Sequence, residues 1–342
     1  MTSDSPVQLR VGFVLPATYA FSQGNGIRVE AELKIAGLQA LNCGVQCSKI
    51  DPWTWWGPDS LDIVHYFYGG LPLSDIDNAR QARPRKLIFS TTIDSDQGFL
   101  PYRLMARLGT LTPRIRTIQG EFRRQALGAD LVIVRSRHEF ERVEHGLGIP
   151  SKKIRIVKLG VETKGIDLLA VQSTPREGLF HLSAFGQERK NVMRLIAAAG
   201  PTGIPLVIAG SGGDPRRLQE IKAAAAPFPS ISFAGFLTAA ERDALYLRSK
   251  VFVLPSIHEG TGLSALEAAA RGCQVVITSH GGPPDYFSDH GRLVDPYDVA
   301  ALRAAILAAH RDATPAESIA RLIADRFDIR ATGATLLDTY LE

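Results

Sequence analysis

The sequence predicts an α/β protein made of two Rossmann-like, doubly wound domains facing each other across a cleft. Three observations lead there. The chain has 342 residues, roughly two ordinary domains' worth. Short Val, Ile, Leu and Phe runs recur along both halves with little polar alternation, the pattern of strands buried on both faces. Helical patterns separate many of these runs, and alternating βα order favours parallel sheets.

In the first half, strands are expected at Leu9–Leu15, Val45–Ile50, Leu61–Phe67, Lys86–Thr92, Ala129–Val134 and Ile154–Lys158. In the second they are expected at Gly178–Ala184, Pro205–Ala209, Ser230–Phe233, Val251–Leu254, Gln274–Thr278 and Gly291–Val294. Helices are expected at Ile27–Leu41, Asn191–Ala199, Pro215–Ala225 and Leu263–Arg271. The boundary is placed near Gly160–Ser173, where a glycine-bearing turn leads into the polar stretch Gln172-Ser-Thr-Pro-Arg-Glu177. This divides the chain into residues 1–163 and 174–325, with 326–342 as a closing segment.

Composition bounds the function. The chain is 45% hydrophobic and 22% charged, and no apolar run is long enough to span a bilayer. The N-terminus Met1-Thr-Ser-Asp-Ser-Pro-Val lacks the basic start and apolar core of a signal peptide, so a cytoplasmic protein is expected. Cys43, Cys47 and Cys273 form neither a CxxC pair nor a zinc knuckle and are expected as reduced thiols.

The net charge of +4 is uneven. Residues 1–163 hold 21 lysines and arginines against 16 acids, and residues 164–342 hold 18 against 19. The excess concentrates at Arg103, Arg107, Arg114, Arg116, Arg123 and Arg124, which face only Glu121. Such a segment is either a solvated helix face or a contact for anionic lipid or a phosphorylated acceptor. The second option would put the protein peripherally on the inner membrane face. No nucleic-acid motif or aromatic stacking pattern accompanies the charge, so nucleic acid is not expected as a partner.

The chemistry concentrates in Pro255-Ser-Ile-His-Glu-Gly-Thr-Gly-Leu-Ser-Ala-Leu-Glu267. A buried-strand pattern, Val251–Leu254, ends in a glycine loop that opens a helix. That geometry offers backbone N–H groups and a positive helix end to an anion. Glu259 and Glu267 flank the turn and are suited to accept hydrogen bonds from hydroxyls. A phosphate site beside several hydroxyl acceptors describes a nucleotide-sugar pocket. The bland alternative is a pair of solvent-facing or capping carboxylates.

These residues resemble the signature of the GT4-type retaining glycosyltransferases, which have the GT-B fold. Pro255, Ser256, Glu259, Gly260, Gly262, Leu266, Glu267 and Ala268 match that signature in place. The resemblance continues through Gly235-Phe-Leu, Ala270-Arg-Gly-Cys-Gln-Val-Val, Gly281-Gly-Pro-Pro-Asp285 and Gly291-Arg-Leu-Val-Asp-Pro-Tyr-Asp298. It is strong over most of 180–300 and weak in the first half.

The resemblance implies that Glu267 accepts from the donor's ribose hydroxyls and Glu259 from its sugar. It implies that N–H groups at Gly262 and Leu263 hold the diphosphate, and that Phe236 and Leu237 lie beside the base. Lys190 would neutralise the leaving diphosphate. The family's usual arginine is replaced by Phe185, and Arg189 is the candidate substitute. Gly24 and Gly26, in Gln23-Gly-Asn-Gly-Ile-Arg28, resemble the family's N-terminal glycine loop over the cleft; a plain strand–helix turn is the alternative. Asp94 matches an acid facing the sugar, although Ile93 stands where relatives carry histidine.

His65 ends a strand on the expected ligand side, or is simply packed; His138 and His258 are unassigned, with an orienting role toward Glu259 open to His258, which precedes it. Trp53, Trp55 and Trp56 either stack on an acceptor or membrane face, or pack over the sheet edge. Thr261 and Ser264 replace the family's usual aromatic and frequent proline beside the donor sugar.

The activity implied by the resemblance is transfer of a sugar, with retention, from a UDP- or GDP-sugar to a glycan or lipid-linked acceptor. Bacterial surface polysaccharide or glycolipid synthesis is the expected setting. The resemblance implies no cofactor and no metal, and no DxD-type motif is evident. The first domain would bind the acceptor and the second the donor, with the closing segment Arg326–Leu341 returning to the first domain. The alternatives are a non-catalytic sugar-nucleotide-binding subunit and a GT-B nucleotide-sugar epimerase.

Overall fold

The computed structural model describes residues 9–16, 26–50, 61–68, 80, 84–111, 115–210 and 213–342. By contact the chain divides into two units. One comprises Met1–Ile93, Gln97–Gly160 and Ile329–Glu342; the other comprises Asp94–Asp96 and Val161–Asp328.

The first unit holds β1 (Leu9–Val14), α1 (Gly26–Ala40), β2 (Val45–Ile50), β3 (Ile63–Phe67), β4 (Lys86–Ser90), α2 (Phe99–Leu111), α3 (Ile118–Gly128), β5 (Leu131–Val134), α4 (Arg137–Glu141) and β6 (Ile154–Ile156). Its six strands are all parallel, in the order β2-β1-β3-β4-β5-β6.

The second unit holds α5 (Leu168–Ser173), β7 (Glu177–Leu182), α6 (Val192–Ala199), β8 (Leu206–Ala209), α7 (Pro215–Ala225), β9 (Ile231–Gly235), α8 (Ala239–Arg248) and β10 (Ser249–Leu254). It continues with α9 (Leu263–Ala270), β11 (Gln274–Thr278), α10 (Pro284–Phe287), β12 (Gly291–Val294), α11 (Val299–Arg311) and α12 (Ala316–Phe327). The sheet is parallel, in the order β12-β11-β10-β7-β8-β9.

Both units are therefore doubly wound, and each strand order reverses direction at one place. That switch point lies between β1 and β3 in the first unit and between β7 and β10 in the second. Ligands of such sheets bind beyond the carboxyl ends of the strands at that point. β3 and β11 are buried along their whole length, which is why these strands read as unbroken apolar runs.

Two expectations need correction. The polar stretch near residue 172 is not an open linker. Asp167 caps α5 by accepting from Leu169 and Ala170 N–H, and the strand beyond it begins at Glu177. The closing segment is not one helix from Arg326. The helix breaks at Asp328, whose carboxylate accepts from the Thr163 hydroxyl while Val161 N–H donates to Phe327 O.

Beyond the break, α13 (Ile329–Leu341) joins the first unit. It lies close on α1 because both helices carry glycine at the crossing. A Cβ on Gly37 would stand 2.5 Å from Ile329 O.

Candidate functional site

The second unit's switch point gathers the strongest candidates. β10 ends at Leu254, and the loop 255–262 runs into α9. Gly262 sits in the left-handed region (φ +80°), which favours glycine, and a Cβ there would press on the tip of Ile277, 2.5 Å from Cδ1. α9 starts without a side-chain cap. Its first N–H groups have no partner inside the helix and point toward the loop.

Glu259 is 8% exposed, and its Oε1 accepts from Lys190 Nζ at 2.6 Å and from Ser256 Oγ at 2.6 Å. Burial pushes its carboxyl up, but Lys190, with Ser256 and Arg189, outweighs this, so its pKa lies below the ordinary value. Its backbone is clamped as well: Glu259 N–H donates to His280 O, and Gly282 N–H donates to Glu259 O. That close approach needs Gly281 at φ +99°.

Lys190 ends a single 3₁₀ turn, Glu188–Lys190. Asn191 follows in the left-handed region (φ 58°) and donates from Nδ2 to Pro255 O at 2.8 Å and Pro296 O at 2.7 Å. Ile257 N–H donates to Arg189 O at 2.8 Å. The lysine turn is thereby fastened to the loops beyond β10 and β12.

Beneath it, His181 at the end of β7 is fully buried. Its Nδ1 lies 2.7 Å from Val253 O and its Nε2 lies 2.7 Å from Ser183 Oγ. Burial, and secondarily Lys190, holds its pKa down to about 4.

Glu267, one turn into α9, is half-buried; its Oε2 accepts from the Tyr246 hydroxyl at 3.1 Å, with Arg242 Nε at 4.0 Å. Both glutamates thus have cations across the fold that are distant in sequence. Thr261 is 4% exposed, and its hydroxyl has no hydrogen-bond partner among the described residues. His258, beside Glu259, is buried.

The remaining candidates scatter. Arg189 is exposed, with Nε bonded to Gln187, and Phe185 is buried against Phe233, so a core ring fills the expected arginine position. Phe236 is 75% exposed at the end of β9, while Leu237 is partly packed against the core.

Asp94, which belongs to the second unit, is exposed, just beyond a Thr91–Ile93 segment tied to Glu139. Gly26 is exposed at the start of α1 with open space around it. His138 is half-buried. Gly24, Trp53, Trp55 and Trp56 lie outside the described residues.

The two readings of His65 are resolved for packing. It is fully buried between Phe13 and Phe67, with Nδ1 2.6 Å from the Tyr340 hydroxyl and Nε2 2.8 Å from Ser90 Oγ. Burial, and then Lys34, holds its pKa well below the ordinary histidine value.

Sequence reasoning gives no role to Ser256 beyond its place in the motif, and none to Asn191 or His181. Asn191 alone leaves a trace there, as an asparagine where the chain must turn between a lysine and a helix. Among the described residues no three His, Cys, Asp or Glu side chains gather in a metal-holding group.

The glycosyl transferases group 1 family matches residues 176–324, nearly the whole second unit. The O-antigen chain mannosyltransferase B of Escherichia coli is 25% identical over 214 residues, 58% of this chain and 56% of that protein. The chain spans little more than half, or far less, of the length of the first curated relatives it matches.

A glycosyltransferase from Rickettsia africae has the same fold, with TM-score 0.70, 15% identity and 98% coverage of each chain. So does the Anabaena protein HepE, solved with UDP and glucose, with TM-score 0.66, 15% identity and coverage of 97% of this chain and 99% of that one.

Proposed function

We propose, on the premise that residues 176–324 belong to the glycosyl transferases group 1 family, that the chain moves a sugar from a UDP- or GDP-sugar to an acceptor with retention. One observation carries this reading. The Lys190–Glu259 pair and the uncapped start of α9 stand together beyond the carboxyl ends of β7 and β10. A cation and a helix start suit a diphosphate, and the carboxylate suits sugar hydroxyls.

In the reaction, the acceptor oxygen bonds to the sugar's anomeric carbon. The bond from that carbon to the diphosphate breaks on the same face. The acceptor proton passes to the leaving phosphate oxygen, and a nucleoside diphosphate departs. Lys190 and the first N–H groups of α9 meet the charge that develops on the leaving group. Glu267 receives the ribose hydroxyls, and Phe236 stacks on the base.

The second unit is thus the donor domain, where Asp94 faces the sugar, and the first serves a glycan or lipid-linked acceptor. Surface polysaccharide or glycolipid synthesis suits such chemistry, as the name of the O-antigen relative suggests. A sugar-nucleotide binder without turnover is the rival reading, favoured by the core position of Phe185.

Thermal shift with UDP-, GDP-, ADP- and dTDP-sugars, then assay of nucleoside diphosphate release, tests both. One nucleotide series should stabilise the protein and turn over. Glu267→Ala should weaken that binding by about 10- to 100-fold, the loss of a charge-assisted pair. Binding without turnover in the presence of varied acceptors favours the rival, and no shift with any series removes the donor site.

A further inference from the structure

Helix α2 carries two apolar faces where a soluble helix needs one. Tyr102, Ala106 and Gly109 point inward and are buried. Leu104 comes two residues after Tyr102, about 200° around the helix, and so points the opposite way. There Leu100, Leu104, Leu108 and Leu111 form an outward stripe, with Leu100 82% and Leu111 79% exposed. α3 pairs with α2 through Gly109 and Gly120, where a Cβ on Gly120 would lie 2.7 Å from Gly109 Cα. Ile115 and Ile118 extend the apolar surface toward α3.

Nine of the thirteen exposed large hydrophobic side chains among the described residues fall between Phe99 and Leu127, so this is a patch and not a scatter. Arg103 and Arg107 each precede a stripe leucine and are exposed, as is Arg116. Arg123 has its pKa lowered by burial, then by Arg107 and Arg103, so these guanidinium groups crowd one another. Arg124 is turned inward to Gly109 O and Glu121.

We infer that the outer face of α2, with the start of α3, docks on an anionic lipid surface. Leucines enter the acyl boundary, and the flanking arginines meet the headgroup phosphates. The charge decides among occupants. A second copy would oppose two cationic faces, and an ordinary solvated helix would not expose a leucine stripe. At thirteen residues α2 is about 20 Å long, so it lies along the surface. No helix among the described residues is long and apolar enough to cross a membrane. The inference needs neither donor nor acceptor, so its fate is separate from that of the transferase reading.

The test is cosedimentation of the full chain with vesicles of phosphatidylcholine alone and of equimolar phosphatidylcholine and phosphatidylglycerol. Binding is expected only to the anionic vesicles and should weaken as salt rises. Arg103→Gln with Arg107→Gln should weaken it about 25-fold, from about fivefold per arginine. Leu100→Ser with Leu104→Ser should weaken it at least about tenfold. Both pairs are exposed, so circular dichroism and Tm should hold.

Tryptophan fluorescence introduced by Leu104→Trp should shift to the blue and be quenched by brominated lipid. Absence of vesicle binding, equal binding to both compositions, or indifference to the leucine pair would overturn the proposal. So would self-association without vesicles that the leucine pair abolishes, which would make the face an interface between copies.

Discussion

The two units carry charges at equivalent ends of similar sheets, yet they use them differently. In the first unit the charges satisfy each other. Glu139, 1% exposed, accepts from Thr91 Oγ1, from Ile93 N–H and from Arg135 N–H and Nε. Glu30 pairs with Lys34, which also donates to Ser90 Oγ, and Arg135 Nη1 reaches within 3.9 Å of Glu30. In the second unit the Glu259 side chain keeps 10% of its surface open, against 2% for Glu139 and Glu30, and it stands with Lys190 beside a helix start without a cap. A buried closed network holds backbone in place, whereas a pair with an open side can exchange partners with a ligand.

The first network also holds a strained residue. Thr92 is β-branched and sits at φ +51°, between two residues anchored to Glu139. The Thr91–Ile93 segment leads directly into Asp94. The comparison breaks most sharply at Glu139→Ala, which removes the carboxylate that accepts from Arg135 N–H and Nε and releases Thr92. A loss of about 3–5 kcal/mol is expected, lowering Tm by about 10 °C. Calorimetry checks it; a loss under about 1 kcal/mol would mean that the network does not hold the first unit.

The second unit should respond in turnover rather than in stability. Lys190→Met is expected to cut turnover by about 10²- to 10³-fold, as removal of a charge-stabilising group does. Its effect on Tm should be smaller than that of Glu139→Ala, because the Glu259 carboxylate retains Ser256 and an opening to water. Equal stability losses in the two variants, with turnover intact in Lys190→Met, would erase the distinction between the networks.

Local patterns made the fold legible. All twelve strands expected from the sequence form, with ends within two residues of expectation; the central ones are legible because a strand buried on both faces must be apolar throughout, whereas the edge strands β2 and β9 are partly exposed. The helix start at Gly262 was legible for a similar reason: a glycine turn between a strand and a helix announces itself. What stayed hidden depends on topology. Lys190 and Glu259 are 69 residues apart in sequence, and only the adjacency of β7 and β10 joins them.

The same adjacency reveals Asn191 as the clasp of the lysine turn. His65 stayed open between its two readings because strand position alone cannot show that Tyr340, 275 residues away, closes over it. α5 was missed because six residues are too few for helical periodicity to register, although its capping residue Asp167 was in plain view.

His65 and His181 extend the comparison, since each lies at its own sheet's switch point and each is fully buried. Both have pKa values below the ordinary histidine value, chiefly through burial. The unfolded chain takes up a proton at each as pH falls through about 6.5, while the folded chain resists, so the unfolded state binds more protons there. Stability must therefore fall as pH drops below about 6.5. For His181 the fall continues to a folded pKa of about 4, which sets its share at roughly 3 kcal/mol.

Urea unfolding between pH 7 and 4.5 reads this slope, above most of the window in which Glu259 loses its own contribution through protonation. His181→Asn should lessen the slope for the second unit, where His290, also held down to about 4 chiefly by burial, keeps its own share, and should leave that of the first unit. If the slope is unchanged in His181→Asn, His181 is not the neutral brace that its bonds to Val253 and Ser183 describe, and the likeness between the two switch points ends at topology.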